Sequence, residues 1–195
     1  MAFRSFIVPL LGALSFAGSA QAEGGPGAID AFRKAQDDII VAYDGGATGA
    51  GLQAKVDALL DYDWIAKAAL GKAACEDRCD EYQTLVAKLA RNNFLKRLKA
   101  MDRDKVQYLT EHVGKDSTTV DTKVEFPQGD GALKVVEIDY VMHKVDGAWV
   151  VRDILSDDVS VVASYEKKIG TLYQAGGIDA VITVLGKMTG TKPAP

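Results

Sequence analysis

Apolar residues recur along this chain with two periods, and the change from one to the other divides it. From Ile29 to Tyr43, the residues Ile29, Phe32, Ile39, Ile40 and Tyr43 fall near one face at helical spacing, which predicts an amphipathic helix. The glycine-rich run "DGGATGAG" breaks it. Leu52, Val56, Leu59 and Leu60 then open a second helical pattern that leads into "DYDWIAKAALGK", with Gly71 as its stop. A third pattern, Glu81 to Met101, sets Tyr82, Val86, Leu89, Phe94, Leu98 and Met101 on a broad apolar stripe, while Lys88, Arg91, Lys96, Arg97 and Lys99 read as a solvated face.

From Lys105 the period becomes two. "KVQYLTEHV", "TTVDTKVEF", "LKVVEIDYVMHK" and "AWVVRDIL" alternate and are separated by "GKDS", "PQGDGA" and "VDG", which predicts four strands in an antiparallel meander. Ser156 and the aspartates after it read as a helix start, followed by Val159, Val162, Ile169 and Leu172. A second helix opens after "GG" with Ile178, Val181, Ile182 and Leu185, and "TGTKPAP", residues 189–195, reads as a disordered tail. The expected class is α+β, a curved four-stranded antiparallel sheet wrapped by N- and C-terminal helices in one domain, residues 23–188.

The N-terminus reads as an export signal over residues 1–22. "MAFR" is basic, "FIVPLLGALSFAG" is apolar and too short to span, and "AQA" suits cleavage after Ala22. Glu23 follows, not the cysteine of a lipoprotein, so the mature chain is expected to be soluble and not tethered. The 23 basic and 27 acidic residues give a net charge of −4, which becomes −5 once Arg4 leaves with the signal. That balance argues against nucleic acid and against adhesion to anionic membranes by charge alone.

Cys75 and Cys79 stand four apart in "CEDRC". In an oxidising compartment they could form a disulfide that closes a small loop or clips a helix end, or they could remain free thiols. A metal site would need further ligands that the neighbourhood lacks. "GAGLQA" imitates a dinucleotide-binding loop, but the residues before it have helical and not strand spacing. His143 with Asp139 or Asp153 is the one candidate acid/base pair, and alternation places Asp139 and His143 on the sheet face opposite Ile138, Tyr140 and Met142.

The ordered set Trp149, Asp153, Val159, Ser160, Tyr165, Gly177 and Leu185 resembles the "W-x-V-x-D … G-V-S-L-V … Y-R … G … L" pattern of the MlaC family, also called the toluene-tolerance family. "DYDWIAKAALGK" and "EYQTLVAKLARNNFLKRL" extend the resemblance over nearly the whole mature chain. It implies an NTF2-like fold around an apolar cavity for phospholipid acyl chains, with no catalysis and no cofactor. It also implies a soluble shuttle in the periplasm that maintains outer-membrane lipid asymmetry. The implied partners are an outer-membrane lipoprotein complex and an inner-membrane ABC-transporter complex with its lipid-binding ring subunit. Asp158 stands where the family has glycine, Glu166 stands where arginine usually follows the tyrosine, and the cysteine pair is not a family hallmark.

A cavity of that kind should draw on helix faces and inward strand positions, here Trp64, Leu70, Phe94, Leu98, Val124, Val136, Ile138, Tyr140, Val151, Val159, Tyr165, Ile169 and Leu172. Any of these would serve equally as ordinary core. Tyr165 could set its hydroxyl near a phosphate or satisfy local backbone, while Asp153 suits the acidic turn or a helix end. The competing functional classes are a binder of another apolar molecule such as a hopanoid, an NTF2-like enzyme using His143, and an envelope protein with a filled core.

Overall fold

Leu60 and Val151, distant in sequence, meet in an isolated parallel bridge that ties the helical half of the chain to its sheet. The structure, a computed structural model, describes residues 27–47, 49–100, 106–129 and 131–192. The expected signal at 1–22, Met101 and residues 193–195 lie outside these. Helices α1 (Ala28–Asp44), α2 (Ala50–Asp57), α3 (Tyr62–Leu70) and α4 (Cys79–Ala100) precede the sheet. Strands β1 (Gln107–Val113), β2 (Thr118–Pro127), β3 (Leu133–Val145), β4 (Ala148–Ser156) and β5 (Val159–Ser160) form it, and α5 (Val161–Thr189) closes the chain.

The sheet is an antiparallel meander in sequence order, as expected, but it has five strands and not four. The extra strand corrects the reading of Ser156 as a helix start. Asp157 and Asp158 both take positive φ, 48° and 63°, which makes the tight two-residue turn that lets β5 fold back on β4. The family's glycine at this position thus coincides with a left-handed residue, and Asp158 adopts that conformation with a short polar side chain. Only then does α5 begin, capped by Ser160, whose hydroxyl accepts from the Ala163 N–H.

Inward alternation along β2 and β3 buries Val120, Val124, Val136, Ile138, Tyr140 and Met142, and α1 lies across them. Phe32 packs on Tyr140 with ring centroids 4.0 Å apart. The buried amide of Gln36 accepts a 2.8 Å hydrogen bond from the Tyr108 hydroxyl, so its burial leaves that oxygen satisfied. The helical pattern running from Leu52 into Leu70 is interrupted at Ala58–Asp61, because backbone there bonds to β4. The Val151 N–H donates to the Leu59 carbonyl and the Asp61 N–H to the Val151 carbonyl. Asp61 then caps α3 by accepting from the Trp64 N–H and pairs with Arg152 at 2.8 Å.

Cys75 and Cys79 are joined as a disulfide spanning the 3-10 turn Glu76–Arg78 at the start of α4. Within that turn Arg78 bonds Glu81 and reaches Asp179 of α5. Helix α5 is bent where the "GG" break was expected, Gly177 taking a φ of 63° and a ψ of −160°. The helix runs through Thr189, which is buried and sits inside the range expected as tail; left-handed Gly190 ends it.

Gly71 stops α3 as expected, and its conformation, φ 61° with ψ −119°, is one that only glycine adopts readily. A Cβ there would lie 2.6 Å from a carboxylate oxygen of Glu166, the residue that departs from the family's arginine. Gly71→Ala is therefore expected to lower stability by about 2 kcal/mol in urea denaturation. Adding Glu166→Ala should recover only the part due to contact. Full recovery would show that the backbone is not strained.

Candidate functional site

The buried apolar residues do not merge into one core. A first cluster joins α1, α2, the end of α4 and strands β2–β4 through Phe32, Val56, Phe94, Leu98, Tyr140 and Val151. A second joins α3, the start of α4 and α5 through Ala66, Tyr82, Leu85, Ile169, Val181 and Ile182. Helix α4 spans both. Between them lies a cavity of about 420 Å³, within the roughly 300–1,000 Å³ usual for small-molecule sites.

One stripe of α4 forms a wall of this cavity: Val86, Ala90, Asn93, Arg97 and Ala100 follow each other at three- and four-residue steps, with Leu89 beside them. Facing it are Ile65 and Ala69 of α3, Phe126 of β2, Val151 to Ile154 of β4, and Val162, Tyr165, Ile169 and Leu185 of α5. Val86, Leu89, Ala69, Ile169 and Leu185 are buried, whereas Lys96 and Ala100 are exposed, so the apolar end is deep and the polar end opens outward. The Asn93 amide donates to the Tyr165 hydroxyl at 2.6 Å across the gap between α4 and α5. Burial raises the pKa of that phenol, while the Asn93 bond and the Arg97 charge act against the rise.

Asp153 also lines the cavity, yet both its oxygens are committed. Oδ1 accepts from the Ile154 and Val162 N–H groups, and Oδ2 from the Ser160 hydroxyl at 2.5 Å. It holds the start of α5 against β4, the helix-end role read from sequence. The carboxylate at a helix N-terminus is favourable because the backbone dipoles there point positive ends at it.

Of the expected residues, Phe94, Val151, Tyr165 and Ile169 line the cavity. Leu98, Ile138 and Tyr140 border instead a crevice of about 10 Å³ that Phe94 and Arg97 also touch. Val124 and Val136 are inward as expected but packed in the first cluster, and neither lines the cavity. Leu70 and Leu172 pack on the outside of the second cluster. Val159 is corrected outright: it is 59% exposed, because β5 forms where helix was expected. Trp64 points elsewhere, stacked on His143 with Arg152 over its ring.

His143 accordingly stands among Trp64 and Arg152, not in the cavity, and burial followed by the Arg152 charge keeps its pKa low. Asp139 lies on the sheet face opposite Ile138 and Tyr140, directly across from Asp121, which His112 contacts at 2.8 Å. Burial, then Asp121, Asp158 and Glu137, raises the Asp139 pKa. Its ionised form is thus disfavoured by folding, so this group weakens the fold as pH rises through its raised pKa. Asp139→Asn should stabilise at pH 7 by no more than about 1 kcal/mol. The gain should vanish in denaturation curves taken below its ordinary value of 3.8. A gain that persists there would show that the cost of ionising the buried carboxyl is not the cause.

Geometrically this is an α+β domain built around an apolar cavity with a polar rim, the shape of site in which apolar small molecules are held. The sequence model of the MlaC family, described as MlaC protein, matches residues 34–187, and the chain belongs to that family. A solved structure with the same fold is the phospholipid-binding protein from Ralstonia solanacearum in complex with a phospholipid. It is 17% identical, with a TM-score of 0.65 over 85% of this chain and 98% of that one. No curated protein shows a significant match.

Proposed function

We propose that this protein is a non-enzymatic periplasmic carrier that holds a phospholipid by its acyl chains in the cavity between the two cores. The observation that carries the reading is that cavity itself: about 420 Å³, walled by Val86, Leu89, Val151, Val162, Ile169 and Leu185, in a chain of the MlaC family. The phospholipid bound by the Ralstonia solanacearum protein supports the ligand class. On this reading the fold is NTF2-like, residues 1–22 direct export, and residues 23–188 form the mature lipid-binding domain. The cargo moves between an outer-membrane lipoprotein complex and an inner-membrane ABC-transporter complex with its ring subunit, which maintains outer-membrane asymmetry.

Energetics restricts the mechanism. A buried methylene gains about 0.8 kcal/mol, so two ordinary acyl chains gain on the order of 20 kcal/mol gross on leaving water. Release into solvent is then far too slow for a carrier. Cargo must pass by direct contact with a membrane or membrane complex, the tails remaining covered throughout. Asn93 and Tyr165, joined by their hydrogen bond, line the cavity from α4 and α5.

The test is transfer of a fluorescent phospholipid from donor to acceptor vesicles separated by a membrane impermeable to vesicles. Transfer that rises with protein concentration supports a carrier. Lipid that loads but never leaves points to storage, and loading only by a sterol-like or hopanoid ligand points to a different apolar cargo.

A further inference from the structure

Three basic side chains reach the cavity wall: Lys96, Arg97 and Arg152. Arg152 is already engaged, its Nε donating to Asp61 at 2.8 Å while its guanidinium lies over Trp64. Lys96 is exposed and at the rim. Arg97 differs from both. It is half-buried, it borders both the cavity and the crevice beside Phe94, and among the described residues no carboxylate pairs with it.

A half-buried guanidinium beside apolar walls is costly unless an anion or acceptor meets it. Arg97 and Lys99 both stand in the last turn of α4, where the helix dipole favours a cation, but Lys99 is exposed and of the two only Arg97 lines the cavity. Nor does Asp153 complete it, since both carboxylate oxygens are taken by the start of α5 and Ser160. Tyr165, one of the walls near Arg97, accepts its bond from Asn93 and so retains a hydroxyl proton to donate. Arg97 and Tyr165 both line the cavity, and the Arg97 charge acts on the Tyr165 phenol, so five guanidinium donors and one phenol stand on the same cavity wall.

We infer that Arg97, assisted by the Tyr165 hydroxyl that Asn93 positions, binds the phosphate of the ligand's head group at the cavity rim. Planar, forked guanidinium donors suit the paired oxygens of a phosphodiester, and partial burial strengthens the contact relative to open water. The site makes the carrier selective for lipids bearing phosphate over neutral lipids with the same chains. This inference rests on the carrier reading above.

The experiment offers delipidated protein vesicles containing equal amounts of phosphatidylglycerol and diacylglycerol with identical chains, and reads bound lipid by native mass spectrometry. Wild type should prefer the phosphatidylglycerol by roughly 10- to 100-fold, the worth of a charged hydrogen bond. Arg97→Gln should reduce that preference to near unity while diacylglycerol uptake is retained, which also shows that the variant folds. Arg97→Lys should keep part of the preference. No preference in the wild type, or an undiminished one in Arg97→Gln, overturns the proposal, and so does an equal loss of both lipids. Wild type that takes up neither lipid refutes the carrier reading itself. Titration with inorganic phosphate separates the sources: Arg97-dependent phosphate binding without lipid uptake overturns the head-group assignment.

Discussion

Ala90→Trp is expected to reduce phospholipid uptake at least 100-fold while leaving the fold intact. Ala90 stands midway along the α4 stripe that walls the cavity, between Leu89 and Asn93, and is partly buried. An indole there projects into space that acyl chains would occupy. Small-to-large changes cost about 1–3 kcal/mol in a packed core, but here the added atoms enter an existing void. Filling a void removes a cost of about 24 cal/mol per Å³, so the unliganded variant should melt no lower than the wild type. Uptake from vesicles and calorimetry on the same sample check both halves. Unchanged uptake would place the lipid outside this cavity.

Asp153→Ala is expected to have the largest effect on stability, a loss of about 3 kcal/mol. Three donors converge on this carboxylate: the Ile154 and Val162 N–H groups and the Ser160 hydroxyl. Losing a helix cap costs about 1 kcal/mol, and stranded partly buried donors add to it. For a chain of this size each kcal/mol shifts the melting temperature by roughly 2–4 °C, so a fall of roughly 6–12 °C is expected by calorimetry. Ser160→Ala, which removes the contact to Asp153 and the cap on Ala163, should cost about 1 kcal/mol. If Asp153→Ala costs no more than Ser160→Ala, Asp153 is not what fastens α5 to β4.

The parts of the fold legible in sequence were those where period and punctuation agree. The Ile29–Tyr43 pattern became α1, alternation gave the meander, Gly71 stopped α3, and "GG" marked the bend in α5. The β4–β5 turn escaped because Asp157 and Asp158 adopt positive φ without glycine, and acidic residues after a serine mimic a helix start. The inward parity of β2 and β3 was also legible. Parity says which face is covered, however, and not what covers it. Val124 and Val136 are packed in the first cluster, and of the described strand residues only Phe126 of β2 and the stretch Val151 to Ile154 of β4 line the void.

The cavity itself was the least legible feature, because a void is made by what is missing. Ala69, Ala90 and Ala100 contribute walls without filling space, and small residues leave little mark on an apolar stripe. Arg97 was assigned to a solvated face with its neighbours by the same logic. Its place follows from the cavity-facing stripe of α4, three residues before Ala100 and four after Asn93, which charge patterning alone does not distinguish from solvent exposure.

The most direct test of a lipid-filled cavity is native mass spectrometry of the protein purified without detergent, followed by solvent extraction and lipid identification. One phospholipid per chain, displaced in Ala90→Trp, is the predicted result. A ligand-free mass that stays unchanged after incubation with phospholipid vesicles would contradict it.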